Sequence, residues 1–87
     1  MPENINVIFK VSKCLNFTIL LNSNNTLKYA LMKFCSITEI DPSSIGKDIV
    51  FIYNAQQLNA DDKKAIGQFN NNLIYITVND IKNIIGA

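Results

Sequence analysis

The sequence has no histidine and no tryptophan, and it contains only 2 cysteines. Without histidine, the base that usually activates a serine or cysteine nucleophile is missing. No CxxC pair is present to hold zinc, and no glycine-rich loop is present to cradle phosphate. We therefore expect a protein that is not an enzyme on its own, with no catalytic residue, no metal and no cofactor.

Charged residues are few as well, at 17% of the chain, and they nearly balance at a formal net charge of +1. Because there is no run of lysine or arginine, neither nucleic acid nor an anionic membrane is indicated as a partner. No apolar run approaches the roughly 20 residues that a membrane-spanning helix needs. The first residues also lack the basic region and apolar core of a signal peptide. These absences predict a cytoplasmic protein without direct membrane insertion, in which both cysteines are reduced thiols.

The 87 residues, 48% of them hydrophobic, suit a single domain spanning 1–87. One helix is predicted over Thr26–Ile37, after a polar segment, Asn24–Thr26, that can cap its first turn. Asp41-Pro42 marks its far side, since the residue before a proline is pushed out of helical geometry. The apolar positions of this stretch recur at helical spacing and predict one buried face, made of Leu27, Ala30, Leu31, Phe34 and Cys35.

Elsewhere the apolar residues alternate with polar ones or form short β-branched runs, which is typical of strands. The predicted strands are Ile5–Val11, Phe17–Leu21, Ile49–Tyr53, Gln56–Leu58 and Leu73–Val78. The first two form a hairpin whose buried side is Phe9, Val11, Phe17 and Ile19. Asp61–Ile66 is expected to form one helical turn, ended by Gly67 where a positive φ is required, and residues 79–87 form a C-terminal tail.

The last strand has two possible registers. In the first, Leu73 and Tyr75 face the helix, so that Ile74 and Ile76 lie outside, beside Ile52 of the neighbouring strand. Such an apolar patch would bind a partner protein. In the second register Ile74, Ile76 and Val78 are core, because a slip of one residue inverts every assignment. We take the first as the prediction.

With the first and last strands parallel at the centre, this order predicts an α+β fold, a β-grasp with a mixed sheet of four to five strands and one main helix. The run from Ile40 through Pro42 to Leu58 resembles ubiquitin-like proteins. In the second half of the chain, the spacing of short motifs resembles that in the autophagy-related ubiquitin-like protein twelve family. The residues at these positions are Ile52-Tyr53, Gln56, Leu58, Ile66-Gly67 and Phe69. Two departures are Asn59–Asp62, where the family has prolines, and Ile85, where it has an aromatic residue.

This resemblance implies a ubiquitin-like autophagy protein that acts as a docking subunit. Its partners would be autophagy-related protein five and the conjugating enzyme, autophagy-related protein three, with an E1-like activating enzyme as a further candidate. The complex would promote lipidation of autophagy-related protein eight. It would be recruited through its partners to autophagosomal membranes or to those of a plastid-like organelle.

The end of the chain leaves the mode of action open. Gly86 is the candidate conjugation residue, but Ala87 follows it, so that either Ala87 is removed or the protein acts without a covalent bond. Removal would also suit the alternative of a conjugated modifier similar to ubiquitin-fold modifier one. A non-conjugated ubiquitin-like adaptor is a third hypothesis. The tail isoleucines either pack on a partner, as the resemblance implies, or fold back on the sheet; they are Ile81, Ile84 and Ile85.

Overall fold

A computed structural model of the chain describes residues 4–69 and 72–81. Its elements run strand, strand, helix, strand, strand, strand, as the alternation of the sequence predicts. In chain order they are β1 (Asn4–Lys10), β2 (Asn16–Asn22), α1 (Leu27–Thr38), β3 (Ile49–Tyr53), β4 (Gln56–Gln57) and β5 (Leu73–Asp80), with 3₁₀ turns at Pro42–Ser44 and Ile66–Phe69.

The strands form one mixed sheet in the order β2-β1-β5-β3-β4. The first and last strands, β1 and β5, are parallel neighbours at its centre, and the other pairs are antiparallel. The parallel pair is possible because the helix and the third and fourth strands supply the long connection that parallel strands need. The predicted α+β architecture, a mixed sheet with one main helix among the described residues, is confirmed.

The start of α1 is fixed by its own cap and by a distant loop. Thr26 is the N-cap, and its hydroxyl oxygen accepts a hydrogen bond of 3.1 Å from a backbone N–H of the first helical turn. The first two N–H groups of the helix are satisfied from residues 62–64: Leu27 N–H donates to the Lys64 carbonyl (2.8 Å) and Lys28 N–H to the Asp62 carbonyl (2.9 Å). Because such donors otherwise lack partners, the loop and the helix stabilise each other.

The helix ends where the sequence predicts, before Asp41-Pro42. Glu39 adopts the left-handed conformation (φ 59°), and the N–H of Ile40 then donates to the Cys35 carbonyl (2.9 Å). This hydrogen bond satisfies a carbonyl group of the last helical turn. It also turns the Ile40 side chain back into the core, where it is buried.

The core lies between the helix and one face of the sheet, and Phe34 is at its centre. The predicted helix face is confirmed, since each of its five residues is buried. The Phe34 ring lies 4.5 Å from Phe9, 5.5 Å from Phe51 and 5.6 Å from Phe17, measured between ring centroids. These contacts join α1 to three strands. The predicted buried side of the hairpin is also correct, with Phe9 and Ile19 buried and Val11 and Phe17 packed against the core.

The predicted register of the last strand is wrong. Ile74, Ile76 and Val78 are buried against the helix, whereas Leu73 and Tyr75 are exposed. The pairing with β1 gives the reason: Val7 lies opposite Ile74 and Phe9 opposite Ile76, and cross-strand partners share a face. The buried set is wholly apolar, while the exposed set continues into Thr77 and Asn79, so this register buries no hydroxyl or amide.

The helical turn expected at Asp61–Ile66 is also misplaced, because the 3₁₀ turn lies at Ile66–Phe69. Gly67 is not in the left-handed region. It is required for another reason: a Cβ there would lie 2.9 Å from both Cβ and the carbonyl oxygen of Ser23, to which Gly67 N–H donates (3.0 Å). The glycine therefore allows a close approach between two backbone segments.

Two further boundaries differ from the predictions. The edge strand expected over Gln56–Leu58 is limited to Gln56–Gln57, although Leu58 N–H still donates to the Phe51 carbonyl (2.7 Å). Asn79 and Asp80, expected in the tail, belong to β5.

Replacing Gly67 with alanine should destabilise the fold by about 1–3 kcal/mol, because the new methyl group would overlap the Ser23 backbone. The measurement is the free energy of unfolding from a urea titration followed by circular dichroism. Gln68→Ala, at the exposed next position, is the matched control and should change stability by less than about 0.5 kcal/mol. Equal stability of Gly67→Ala and the wild type would contradict the close approach.

Replacing Ala55 with glycine should stabilise the protein by about 0.5–1 kcal/mol. Ala55 has φ 65° in the Asn54-Ala55 turn, and its Cβ is strained in that left-handed conformation. Glycine removes the strain, and this gain exceeds the cost of the greater conformational entropy that glycine gives to the unfolded chain. Thermal unfolding measures the effect. Ala60→Gly, at a position without positive φ, is the control and should lower the melting temperature. A lower melting temperature for Ala55→Gly would show that Ala55 does not adopt the left-handed backbone conformation.

Candidate interaction surface

The partner-binding residues predicted from the sequence fall in three different places. Ile52 is half-buried and lies on the outer face of the sheet, the face opposite the helix. Ile74 and Ile76 are fully buried beneath the helix, so their predicted outward orientation is corrected. Ile84, Ile85 and the conjugation candidate Gly86 lie outside the described residues.

The corrected register places other apolar residues on the outer face. Leu20 is 60% exposed, Tyr75 49% and Leu73 36%, and Ile8 is half-buried between them. We call these four residues the sheet patch. Sequence reasoning missed it because it assigned Leu73 and Tyr75 to the core. The signal that could have found it is the polar continuation of their alternating set into Thr77 and Asn79.

The strand pairing makes the sheet patch continuous across β2, β1 and β5. Ile8 lies directly opposite Tyr75, and Asn6 lies between Leu20 on one side and Leu73 on the other. Directly opposed side chains have Cβ atoms about 4.5–5.5 Å apart and diagonal ones about 7–8 Å. Each member of the sheet patch is therefore within contact range of another, and together they form one surface.

Charge is almost absent from this face. Among the outward strand positions that the structure describes, Lys10 alone carries a charge, and the neighbouring positions are amides and hydroxyls. The Lys10 Nζ lies 5.4 Å from the centroid of the Tyr75 ring. A cation over an aromatic face at an exposed site contributes about 0.5–1 kcal/mol, so this contact is weakly stabilising.

A second concave region lies at the β3–β4 end of the sheet. The rings of Tyr53 and Phe69 are 4.8 Å apart there, and the Lys64 Nζ lies 5.0 Å from the Phe69 centroid. The remaining lining is mostly side-chain amides from the β4 segment. These contacts fasten the 3₁₀ turn at Ile66–Phe69 to β3, and we assign them a role in stability.

The titratable groups of the described residues do not converge on a metal site. No group of three or more histidine, cysteine, aspartate or glutamate residues that could hold a metal ion occurs among residues 4–69 and 72–81. Burial and, to a lesser extent, the charge of Asp41 raise the pKa of the Cys35 thiol, which keeps it protonated. Hydrogen bonding from Ser43 lowers the pKa of Asp41, which caps the first 3₁₀ turn.

Of the two adjacent aspartates, Asp62 stabilises a turn and Asp61 pairs with a lysine. Asp62 Oδ1 accepts a hydrogen bond from Lys64 N–H at 2.9 Å, and Asp61 makes an exposed ion pair of 3.9 Å with Lys28. An exposed pair of this kind contributes little to stability.

In the described part of the chain, no helix is long and apolar enough to span a membrane.

The comparisons with known proteins support the fold. No protein-family model and no curated protein matches the sequence. The structure is similar to the ubiquitin-like domain of the yeast protein Ddi1, with a TM-score of 0.70 and 8% sequence identity over 88% of each chain. It is also similar to a ubiquitin-like domain of Arabidopsis thaliana, with a TM-score of 0.66 and 19% identity over 91% of this chain and 79% of that one.

A third similar structure comes from a study of the molecular mimicry of SUMO in DNA repair, with a TM-score of 0.60 and 14% identity over 87% of this chain and 90% of that one. Identities this low establish the fold alone. Together with the parallel pair at the centre of the mixed sheet, these likenesses show that the chain has the ubiquitin-like β-grasp fold.

Proposed function

We propose that this chain is a docking subunit of the autophagy-related protein twelve type, which binds autophagy-related protein five and acts without a reacting group of its own. The complex would recruit autophagy-related protein three and so promote transfer of autophagy-related protein eight onto phosphatidylethanolamine. The ubiquitin-like fold supports the general class, and the motif spacing from Ile52 to Phe69 supports this member of it.

The observation that carries the docking role is the sheet patch. Exposed apolar side chains on one continuous face mark protein-binding surfaces, especially where polar groups surround them. Burying the exposed halves of Leu20 and Tyr75 would contribute about 1–2 kcal/mol each. Tyrosine is also favoured at such contacts, because a large rigid ring buries much area for little loss of conformational freedom.

Lys10 adds a positive charge next to the apolar side chains of the sheet patch. Its ammonium group lies beside Tyr75 on a face otherwise free of charge among the described strand positions. A partner carrying a carboxylate next to an apolar contact would match both groups, which gives specificity more than affinity. Ile52 lies diagonally beside Tyr75, since it is paired with Thr77, and we include it as a rim contact.

The tail bears on whether the complex is covalent. We propose non-covalent docking with Ala87 retained, and Ile84 and Ile85 as additional partner contacts. Mass spectrometry of the complex isolated from cells distinguishes the modes. An intact chain ending in Ala87 supports docking. Chains that end at Gly86 and are linked to lysines would overturn it in favour of a conjugated modifier.

The binding test uses purified autophagy-related protein five from the same organism and isothermal titration calorimetry. The double variant Leu73→Ser, Tyr75→Ser should bind at least about tenfold more weakly than the wild type, because it removes the exposed centre of the sheet patch. Both side chains point away from the core, so the variant should remain folded.

The matched control is Tyr29→Ser. Tyr29 is exposed to a similar degree, 45%, but lies on the outer face of α1. Its removal should leave affinity unchanged within about twofold. Equal losses from the two surfaces, or the absence of any complex, would refute the assignment of the sheet patch as the docking surface.

A further inference from the structure

The outer edge of β2 has backbone hydrogen-bonding groups that find no partner among residues 4–69 and 72–81. Asn6 N–H donates to the Asn72 carbonyl of the segment that leads into β5 (3.0 Å), so the even-numbered residues of β1 bond to β5 and the odd-numbered ones to β2. In the antiparallel ladder the β2 residues that face β1 are therefore Phe17, Ile19 and Leu21. The N–H and C=O groups of the alternate residues point away from the sheet.

Those alternate residues are Asn16, Thr18, Leu20 and Asn22, and in the described part of the chain only Asn22 has its backbone groups bonded. Its N–H donates to Asn25 Oδ1 (2.8 Å), and its carbonyl accepts from Asn25 N–H (2.9 Å). Within the described residues, no hydrogen bond engages the backbone groups of the other three. The open segment is thus Asn16–Leu20, and Thr18 is its midpoint.

This edge lacks the features that normally prevent strand addition. Proteins protect edge strands with lysine, proline, bulges or very short strands. Here β2 has seven residues, no charged side chain, no proline and no glycine, and its centre, Phe17–Leu21, is rich in residues that favour strands. The opposite edge, β4, has only two residues, so β2 is the open edge among the described strands.

We propose that two copies of this chain pair through their β2 strands, antiparallel, about a two-fold axis at Thr18. In that register Thr18 lies opposite its own counterpart and Asn16 lies opposite Leu20 of the second copy. All three N–H and all three C=O groups of the open segment then gain partners. A surface of this kind is self-complementary, as a two-fold interface requires.

The charge distribution favours a second copy of this chain, rather than a charged strand of another protein, as the partner of β2. An acidic or basic segment would meet no opposite charge on β2, because all seven of its side chains are uncharged. Two copies bring no like charges together along the paired strands, and each carries a net charge of only +1. On the helix side of the sheet, the partly buried Phe17 would lie opposite Ile19 of the second copy, which extends the core across the axis.

The test is sedimentation velocity of the full chain over protein concentrations from about 1 μM to about 1 mM, a range that covers weak dimers. The wild type should shift from monomer to dimer within it. Thr18→Lys should raise the dissociation constant at least about tenfold, because it places two ammonium groups opposite each other at the axis. Asn79→Lys is the matched control, on the same sheet face but on the central strand β5 and opposite the uncharged Val50, and should dimerise as the wild type does.

A second variant and a second measurement guard against misfolding. Thr18→Pro removes an N–H that faces outward, so the β1–β2 ladder keeps its hydrogen bonds, and far-ultraviolet circular dichroism should match the wild type while dimerisation is lost. By hydrogen exchange, the amides of Thr18 and Leu20 should gain protection as concentration rises. Those of Phe17 and Ile19 should be protected throughout, because they bond to β1.

Two outcomes would overturn the proposal. One is a wild type that remains monomeric across the range. The other is a dimer that Thr18→Lys does not weaken but Leu73→Ser, Tyr75→Ser does, since association would then occur through the sheet patch. A monomeric wild type would leave the proposed binding of autophagy-related protein five untouched, whereas a dimer formed through the sheet patch would compete with that partner for the same residues. The calorimetric experiment tests the binding separately.

Discussion

The contact on which the rest of the structure depends is the packing of Phe34 against three phenylalanines of the sheet. Phe9, Phe17 and Phe51 come from β1, β2 and β3, and each ring lies within 6 Å of the Phe34 ring, centroid to centroid. The rings of Phe17 and Phe51 meet Phe34 edge-on, an arrangement that aromatic rings prefer, and the Phe9 ring is stacked on it at 28°. One helical residue therefore holds together strands that are far apart in the chain. Truncating such a side chain would leave a cavity that an 87-residue domain has few other contacts to offset.

The same helix is fixed at its first turn by backbone contacts. Residues 62–64 supply carbonyls to the N–H groups of Leu27 and Lys28, and Gly67 lies against Ser23. The connection between β4 and β5 is thereby attached to the segment between β2 and α1. Since β5 must return to the centre of the sheet, this attachment sets where the last strand begins.

The sequence was informative where one physical effect dominates. The helix face from Leu27 to Cys35 follows from the 3.6-residue period alone, and β1 from an alternation that only Ile8 interrupts, so both could be predicted. The register of β5 was harder to predict, because both of its faces begin with large apolar residues. Only the polar end of the exposed set and the pairing of Val7 with Ile74 separate the two registers, and the second of these is a tertiary contact.

The candidate site likewise combines features that the sequence predicts with features that depend on tertiary contacts. The sequence predicted an apolar patch with Ile74 and Ile76 on the outer face, but those residues are buried and Leu73 and Tyr75 lie there instead, because a strand offers alternate residues to opposite faces. Gly67 was singled out from the sequence for a positive φ, whereas the structure requires it for a close approach to Ser23. That approach joins segments more than forty residues apart in the chain, so no local pattern could reveal it.

The two proposed surfaces are compatible because of sheet geometry. A two-fold axis that pairs hydrogen-bonded residues of antiparallel strands runs perpendicular to the sheet, so the outward faces of both copies lie on the same side. Leu20 is the one residue common to the sheet patch and to the open edge, and its side chain stays outward when its backbone is paired. Pairing would therefore leave both sheet patches exposed, next to each other on one extended surface. A dimer of this form could engage two docking partners at once, and the second contact would then benefit from a raised effective concentration.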